Sequence, residues 1–347
     1  MFQHCRQDSC SFKSKSKIVY MNSQFDTDLQ IGKSNIDTFR SDVLEGLSSN
    51  PKKMFSKYFY DKAGDQIFQQ IMKMPDYYLT NCELDIFKNK TQELADIILG
   101  NDEPFDLIEL GAGDAMKSSY LLKFLVEKNI DFTYMPIDIS GNILSVLNEK
   151  FSKELPTMDI VTLEGDYFNM LDKATSISKR RKVVLFLGGN IGNMDLEESY
   201  NFCRELNQKL NLGDLLLIGF DLKKNPHTIL NAYNDTEGIT ASFNLNLLLR
   251  INRELEADFD VTQFQHYQTY DPASGACKSY LVSLERQDVH IDNYIFSFEK
   301  NELIDMEISQ KFSKADINKL AESSEFHVLA EITDSKNWFV DSIWQVV

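Results

Sequence analysis

The chain has 347 residues, of which 43% are hydrophobic and 26% charged, a composition typical of a globular protein with room for a core domain and a smaller partner. Its 36 Lys and Arg against 53 Asp and Glu give a net charge of -17, which disfavours nucleic acid and anionic membranes as partners. The cysteines form no CxxC pair and the histidines no HExxH motif, so neither a disulfide framework nor a metal site is favoured. Scattered cysteines are typical of a reducing compartment, so we expect a cytoplasmic protein. We also expect that it holds no metal.

The start of the chain carries no recognisable targeting signal. Residues 1–21 are polar, lack the apolar run of a signal peptide, and are predicted to form a disordered N-terminal extension. Met21 is a second candidate for the translation start. No apolar run in the sequence approaches the roughly 20 residues of a membrane span, so we expect no membrane partner.

Residues 22–90 are predicted to be mainly helical, because apolar residues recur there at helical spacing up to an interruption at Pro75. Thr80 is predicted to be the N-cap of the helix that follows. Glu83, three residues later, would then be its capping-box partner.

Beyond this segment, strand and helix patterns alternate. The predicted strands are 106–110, 132–137, 160–163, 182–187 and 214–220, and the predicted helices between them lie near 118–128, 141–153 and 195–210. Such alternation favours a parallel sheet with crossover helices, and ligands of such sheets bind at the carboxyl ends of the strands. We therefore predict an α/β protein with a Rossmann-like core.

After Asp221 the alternation ends. The sequence predicts helical structure over 227–256, strands within 263–298 and at 302–309, a helix near 314–323, and a final hairpin of 326–331 with 338–346. We predict the following division of the chain: 22–82 as the N-terminal part of a substrate domain, 83–221 as the core, 222–311 as an inserted substrate-binding part, and 312–347 as the C-terminal part of the core.

Three consecutive strand ends carry residues suited to an adenosyl ligand. Gly111 and Gly113 follow the first strand and allow close approach of a ligand to the backbone, while the third glycine of the dinucleotide fingerprint is absent. Asp138 follows the second strand, where a carboxylate accepts hydrogen bonds from ribose hydroxyls. Asp166 and Tyr167 follow the third strand and suit adenine. The alternative is that the glycines form an ordinary turn and the acids cap helices.

Several blocks of the sequence, in their order and spacing, resemble one family, the histidine-specific S-adenosylmethionine-dependent N-alpha-methyltransferases of ergothioneine biosynthesis. The resemblance runs from about Met54 onward. The blocks that carry it are Lys57–Gly64, Pro75–Thr80, Glu109–Gly113, Phe186–Asp195, Ala232–Thr240, Phe243–Asn246, Ile251–Leu255, Ala257–Asp260 and Glu307–Phe312.

The resemblance implies a class I methyltransferase core with a smaller α+β substrate-binding domain. It implies three methyl transfers to the α-amino group of L-histidine, giving N,N,N-trimethylhistidine (hercynine), by a protein expected to be a monomer. The family's donor contacts map onto Gly111, Lys117, Asp138, Asp166 and Tyr167. Its substrate contacts map onto Tyr60, Phe68, Tyr77, Gly188, Asn193, Tyr233, Glu307 and Ser309.

Methyl transfer needs an aligned neutral amine more than acid–base machinery, so these residues are expected to bind and orient. Asn193 is assigned to the amino and carboxylate end of the substrate, because an amide both donates and accepts. Tyr233 and Tyr77 are assigned to the carboxylate. Tyr60 is assigned to the amine and to the growing methylammonium, and with Asn193 it is the predicted catalytic pair. The alternative for each tyrosine is plain core packing.

Glu307 and Ser309 are two residues apart on a predicted strand and so point to one face, where they suit the two nitrogens of an imidazole. The alternative is the polar face of a half-exposed strand. At Lys278–Ser279 the family commonly carries Glu-Met, a departure that leaves open another amino acid or amine as the acceptor. A third alternative is a non-catalytic binding protein on the same scaffold.

Overall fold

The computed structural model describes residues 27–100 and 103–347, with side chains from residue 36 onward. The predicted extension 1–21, with its second candidate start, lies outside the described residues. In the described part of the chain, no helix combines the length and apolar character needed to cross a membrane.

The N-terminal segment is mainly helical, as predicted. It comprises α1 (Thr27–Ser48), β1 (Lys52–Lys53), α2 (Lys62–Ile71), α3 (Tyr78–Asn89) and α4 (Thr91–Leu99). The prediction that Thr80 is an N-cap is wrong, because α3 begins at Tyr78 and Thr80 lies inside it. The Glu83 carboxylate does not accept a hydrogen bond from the backbone of Thr80. It instead accepts one from the backbone N–H of Gly188 and pairs with the Lys117 ammonium.

The middle of the chain alternates between strands and helices, which confirms the predicted pattern. Its elements are β2 (Phe105–Leu110), α5 (Ser118–Glu127), β3 (Phe132–Asp138), α6 (Gly141–Glu154), β4 (Asp159–Ile160), β5 (Leu163–Glu164), α7 (Tyr167–Ile177), β6 (Arg181–Phe186), α8 (Leu196–Lys209) and β7 (Leu215–Asp221). The strand predicted over 160–163 is two short strands, and the sequence patterns did not identify α7.

The rest of the chain follows the predicted order. Its elements are α9 (Pro226–Tyr233), α10 (Ile239–Leu255), β8 (Phe264–Tyr270), β9 (Ala276–Ser283), β10 (Gln287–Ile291), β11 (Tyr294–Phe298), β12 (Leu303–Gln310), α11 (Lys314–Ser323), β13 (Phe326–Thr333) and β14 (Phe339–Val346). The helical region predicted over 227–256 is divided in two by a turn at 234–238.

The main sheet has eight strands in the order β13-β14-β7-β6-β2-β3-β4, with β5 also paired to β3. The strands from β7 to β5 are parallel, and β14 is antiparallel to both β7 and β13. Alternate residues of β2 enter two hydrophobic clusters, Phe105 and Leu107 on one face and Ile108 and Leu110 on the other. A parallel sheet buried on both faces confirms the predicted α/β, Rossmann-like class.

A second sheet of four strands, β1-β12-β9-β8, lies beside the main one. β1 belongs to the N-terminal segment and pairs in parallel with β12. The chain leaves the main sheet after β7 and returns to it at a bridge between Leu222 and Phe312. The N-terminal segment and the insertion therefore build this sheet together, while the domain boundaries themselves remain a prediction.

Candidate active site

The glycine loop after β2 is an open backbone cradle. Gly111 and Gly113 have φ of +70° and +52°, a conformation that favours glycine. A Cβ on Gly111 would lie 2.7 Å from the hydroxyl oxygen of Tyr167, whereas one on Gly113 would meet nothing within 4 Å. The structure thus brings together two predicted donor-binding glycines and the predicted Tyr167, and leaves space above the loop for a ligand.

Asp138, at the carboxyl end of β3, is fixed by the same loop. Its carboxylate accepts hydrogen bonds from the backbone N–H of Gly113 at 3.1 Å and of Ser140 at 2.9 Å. A carboxylate has about four acceptor positions, so two bonds leave capacity for ligand hydroxyls. This geometry fits the nucleoside part of S-adenosylmethionine.

Asp166 has a local role in the structure. It is the N-cap of α7 and accepts a hydrogen bond from the backbone N–H of Asn169 at 3.0 Å and another from the Asn169 side chain. The capping alternative therefore holds for this acid, and its contact with adenine remains a prediction. Tyr167 begins the helix and packs edge-on against Phe186, with ring centroids 5.8 Å apart.

Lys117 contacts an acid, Glu83, whose role in the site was not predicted. Its ammonium forms an ion pair with Glu83, which is fully buried. The same carboxylate accepts the backbone N–H of Gly188 at 2.9 Å and 2.8 Å. Burial, followed by the charge of Glu83, raises the pKa of the neighbouring Asp341 carboxyl well above its usual range. An acid among the buried residues of α3, such as Cys82 and Ile86, was the available signal for this role.

The acceptor side of the site is lined by aromatic rings. Tyr60 lies 5.4 Å from Phe68 and 5.6 Å from Phe243, measured between ring centroids, and Tyr77 lies 5.9 Å from Tyr233. Phe68 also lies within 6.4 Å of Tyr77, which joins the two groups. We call these five residues the aromatic cluster. Phe243 had been noted only as part of a family block, and its place in the cluster was not predicted.

Tyr60 lies near groups from both sides of the site. Its side chain is 37% exposed, yet burial raises its pKa well above the ordinary value, followed by the nearby Glu307, Tyr77 and Tyr167. Tyr167 belongs to the donor loop region and Glu307 to the second sheet, so groups from both sides of the site bear on Tyr60. We call the region between the two sides the cleft.

Glu307 and Ser309 lie on β12, after an irregularity in its pairing with β9 between residues 305 and 307. Glu307 is half-buried, and among the described residues no group donates a hydrogen bond to its carboxylate. Burial raises its pKa to about 7, opposed by the charge of Lys311. The hydroxyl oxygens of Ser309 and Tyr233 are 2.8 Å apart. The structure therefore brings Ser309 and Tyr233 into contact, and their roles in binding the substrate remain a prediction.

The two residues that depart from the family pattern, Lys278 and Ser279, point to opposite faces of the second sheet. Ser279 is buried, lies directly across from Glu307, and donates a hydrogen bond to the side-chain oxygen of Gln268 at 2.6 Å. Lys278 points to the other face, where its ammonium is 2.7 Å from the carboxylate of Asp305. Only Ser279 therefore stands on the face of the sheet that carries Glu307.

Gly188 and Asn193 lie on the loop after β6, where the two sides of the site meet. Gly188 has φ of +85° and is held by Glu83. Asn193 ends a short 3-10 helix and is half-buried. A Cβ on Gly192 would lie 2.8 Å from the backbone oxygen of Gln310, so this loop packs directly against the end of β12. Among the described residues, no three His, Cys, Asp or Glu side chains are grouped to hold a metal ion.

Comparison with known proteins identifies the family of the chain. The profile of the family described as "Histidine-specific methyltransferase, SAM-dependent" matches residues 39–346. The chain is 33% identical to histidine N-alpha-methyltransferase of Mycobacterium tuberculosis over 86% of this chain and 92% of that protein. It is also 33% identical to the protein of the same name from Mycolicibacterium smegmatis, over 74% of this chain and 78% of that protein.

A fungal relative extends the comparison. The chain is 29% identical to ergothioneine biosynthesis protein 1 of Schizosaccharomyces pombe, over 80% of this chain and 36% of that longer protein. The family profile spans almost all of the described residues. In the structure Tyr233 of the aromatic cluster contacts Ser309, and the Tyr167 hydroxyl lies beside the glycine loop. The chain belongs to the family of S-adenosylmethionine-dependent, histidine-specific methyltransferases.

Proposed function

We propose that this protein transfers methyl groups from S-adenosylmethionine to the α-amino nitrogen of L-histidine, three times in succession, giving N,N,N-trimethylhistidine. The observation that carries the proposal is the Glu307 carboxylate, which lies beside Ser309 on the cleft side of β12 and receives no hydrogen bond from the described residues. A half-buried acceptor of this kind is available to a donor from the ligand, and leaving it unpaired once a ligand covers it would be costly.

An imidazole ring supplies the matching pattern. Neutral imidazole carries one N–H donor and one acceptor nitrogen, which suits a carboxylate and a hydroxyl side by side. A phenyl side chain in the same place would leave Glu307 unpaired, at a cost of several kcal/mol. An indole has an N–H for Glu307 but no acceptor nitrogen for the Ser309 hydroxyl. We therefore assign ring recognition to Glu307 and Ser309.

The reacting end of the substrate is assigned to the other side of the cleft. S-adenosylmethionine supplies an electrophilic methyl group on a sulfonium, and the protein has to hold the amine in line with it. Such positioning is worth roughly 7–11 kcal/mol of the barrier. We assign Asn193 to the amino and carboxylate groups, Tyr77 to the carboxylate, and Tyr60 to the amine. Tyr233, which the sequence analysis also assigned to the carboxylate, contacts the Ser309 hydroxyl at 2.8 Å in the structure.

The aromatic cluster suits a substrate that gains positive character as it is methylated. Each transfer puts one methyl group in place of one proton of the ammonium form, and the final trimethylammonium can donate no ordinary hydrogen bond. Aromatic faces attract such cations at about 0.5–2 kcal/mol each. The ring centroids of Tyr60, Phe68 and Phe243 lie within 5.8 Å of one another, and these rings provide such faces.

The wider context is part of the same proposal. The product would enter ergothioneine biosynthesis, and the protein would act as a monomer in the cytosol. Cys82, Cys203 and Cys277 are free and buried, which is consistent with a reducing compartment.

Mass spectrometry of the product formed from histidine and S-adenosylmethionine tests the proposal. We expect a gain of three methyl groups with the wild type and a loss of at least 100-fold in kcat/KM for Glu307→Ala, about 3 kcal/mol for an unpaired ring nitrogen. Asp305→Ala is the matched control, since this acid lies on the same strand and pairs with Lys278 on the other face. Absence of any methylated histidine, with S-adenosylhomocysteine binding intact, would refute the substrate.

Ser279 favours a second candidate, another amino acid or amine as the acceptor. This small side chain stands directly across from Glu307, where a longer one would narrow the ring site. A panel of amino acids assayed in parallel separates the two candidates. If neither histidine nor any other acceptor is methylated and S-adenosylhomocysteine does not bind by calorimetry, the non-catalytic alternative returns.

A further inference from the structure

A buried lysine stands directly behind the residues assigned to the ring. Lys311 follows Ser309 by two residues and Glu307 by four, so the alternation of an extended chain turns all three to one side. Its side chain is fully buried. Its ammonium nitrogen lies 2.8 Å from Asp221, 2.8 Å from the Tyr233 hydroxyl oxygen and 2.7 Å from the Ser309 hydroxyl oxygen.

These three contacts use the whole capacity of the ammonium group. An ammonium has three N–H donors and no acceptor, so the hydroxyl oxygens of Tyr233 and Ser309 must both accept from it. The two hydroxyls are also 2.8 Å apart, so one of them donates to the other. Of their two hydrogens, one is used between them and one remains. One hydroxyl hydrogen remains whichever of the two hydroxyls donates to the other. The pair therefore presents a single O–H donor to the cleft.

The charges around Lys311 also bear on Glu307. Asp221 is shared with a second buried cation, Lys224, and accepts a hydrogen bond from the Tyr78 hydroxyl at 2.8 Å. The positive charge of Lys311 favours the ionised form of Glu307, which is the form that accepts an N–H from the ligand.

We propose that Lys311 is a positioning residue for ring recognition, which holds the Tyr233 and Ser309 hydroxyls as acceptors and so makes them present one hydrogen-bond donor beside the Glu307 carboxylate. This inference rests on the proposed function, because it takes the imidazole of histidine as the ring. Lys311 does not touch the substrate itself; it acts through the two hydroxyls.

The test is a double-mutant cycle on histidine affinity, measured by calorimetry with the full chain in the presence of S-adenosylhomocysteine. Lys311→Met and Ser309→Ala are each expected to raise the Kd of histidine about tenfold. Because Lys311 acts through Ser309, the double variant should bind about as weakly as Ser309→Ala alone. Purely structural damage by Lys311→Met would instead add to the serine effect, giving a loss of about 100-fold, and that result overturns the inference.

Lys224→Met is the matched control. Lys224 is also buried and also pairs with Asp221, but its other hydrogen bonds go to the Tyr78 hydroxyl at 3.0 Å and to the backbone oxygen of Leu222 at 2.6 Å. Its loss should leave the Kd of histidine within about twofold. An equal loss of affinity in both lysine variants contradicts the inference, since it would assign the effect to the charge on Asp221.

Two further measurements keep the result unambiguous. If Lys311→Met does not fold, Lys311→Arg enters the same cycle, because it keeps the charge beside Asp221 while a planar guanidinium cannot donate along the same three directions. If the wild type itself binds S-adenosylhomocysteine but not histidine, the proposed substrate fails and the inference fails with it. Histidine binding with an additive cycle overturns the inference alone.

Discussion

The donor side and the acceptor side of the cleft are built in different ways. The donor side consists of strand ends of one parallel sheet, and its polar groups bond one another: Asp138 holds Gly113, and Asp166 caps α7. The acceptor side is assembled from remote segments, and its central carboxylate, Glu307, receives no hydrogen bond from the described residues. A donor shared by a whole class of enzymes can be bound by local backbone features, whereas a specific acceptor requires polar groups that only the ligand completes.

Glu83 joins the two sides, and its loss is expected to have the largest effect. In Glu83→Gln the half-buried Lys117 loses its fully buried counter-charge, and breaking such a pair costs up to about 3–5 kcal/mol of stability. The Gly188 N–H also loses a carboxylate acceptor. We therefore expect the Kd values of both S-adenosylhomocysteine and histidine to rise at least tenfold, as measured by calorimetry.

Asp106→Asn is the matched control for this prediction. Asp106 forms a buried ion pair with Lys182 at 2.8 Å, at the amino ends of β2 and β6, the edge of the sheet away from the cleft. Chemical denaturation should show a similar loss of stability, with both ligand affinities unchanged. If both variants weaken ligand binding equally, Glu83 acts through stability alone and does not join the two sides.

The same contrast explains what the sequence could and could not predict. The order of the strands and helices and the donor loop follow from local patterns, because hydrophobic periodicity and glycines act over a few residues. The role of Glu83 was mistaken because a capping box is also a local pattern, and only burial in the tertiary structure distinguishes the two roles. Lys311 and Phe243 show no local feature that marks them as part of a site.

The acceptor residues came from the resemblance to a family, since no spacing rule connects Tyr60 with Glu307. α7 was missed for a related reason. Its N-cap, Asp166, was read as the end of a strand motif for adenine, so the helix that starts there was not considered. Where one residue serves two patterns, the sequence alone does not decide between them.

Gly111→Ala tests whether the donor side is set by backbone conformation. A Cβ at this position would lie 2.7 Å from the Tyr167 hydroxyl oxygen, and the residue has φ of +70°. We expect the Kd of S-adenosylhomocysteine to rise about tenfold, with strain in the left-handed region contributing about 1–2 kcal/mol. Calorimetry gives the affinity and thermal unfolding gives the strain.

Gly213→Ala separates the strain from the contact. Gly213 has φ of +90°, lies just before β7 away from the cleft, and a Cβ there would meet nothing within 4 Å. It should lose similar stability with no change in donor affinity. A donor affinity that is also unchanged in Gly111→Ala would show that the glycine loop does not approach the donor.

The smallest predicted effect is on the pH dependence of stability. It compares one acid from each side, the half-buried Glu307 and the buried Glu109. Burial raises the pKa of Glu307 and of Glu109 to about 7, above the ordinary value of 4.5. Between pH 4.5 and 7 the folded protein then binds more protons at each site than the unfolded chain, so each group lowers stability as pH rises through this window. Relative to the wild type, Glu307→Gln should gain about 1 kcal/mol between pH 5 and pH 8, after allowance for solvent screening of this half-buried group. Glu109→Gln should gain at least as much, because Glu109 is buried.

Ligand binding should then distinguish the two sides. Glu109 already accepts a hydrogen bond from the Tyr134 hydroxyl, whereas Glu307 awaits a donor. Unfolding measured with saturating histidine and S-adenosylhomocysteine should therefore remove the advantage of Glu307→Gln, because the imidazole N–H now pairs with the ionised glutamate, and should leave that of Glu109→Gln unchanged. If histidine removes neither advantage, the Glu307 carboxylate does not receive the ring, and the contrast between a closed donor side and an open acceptor side does not hold.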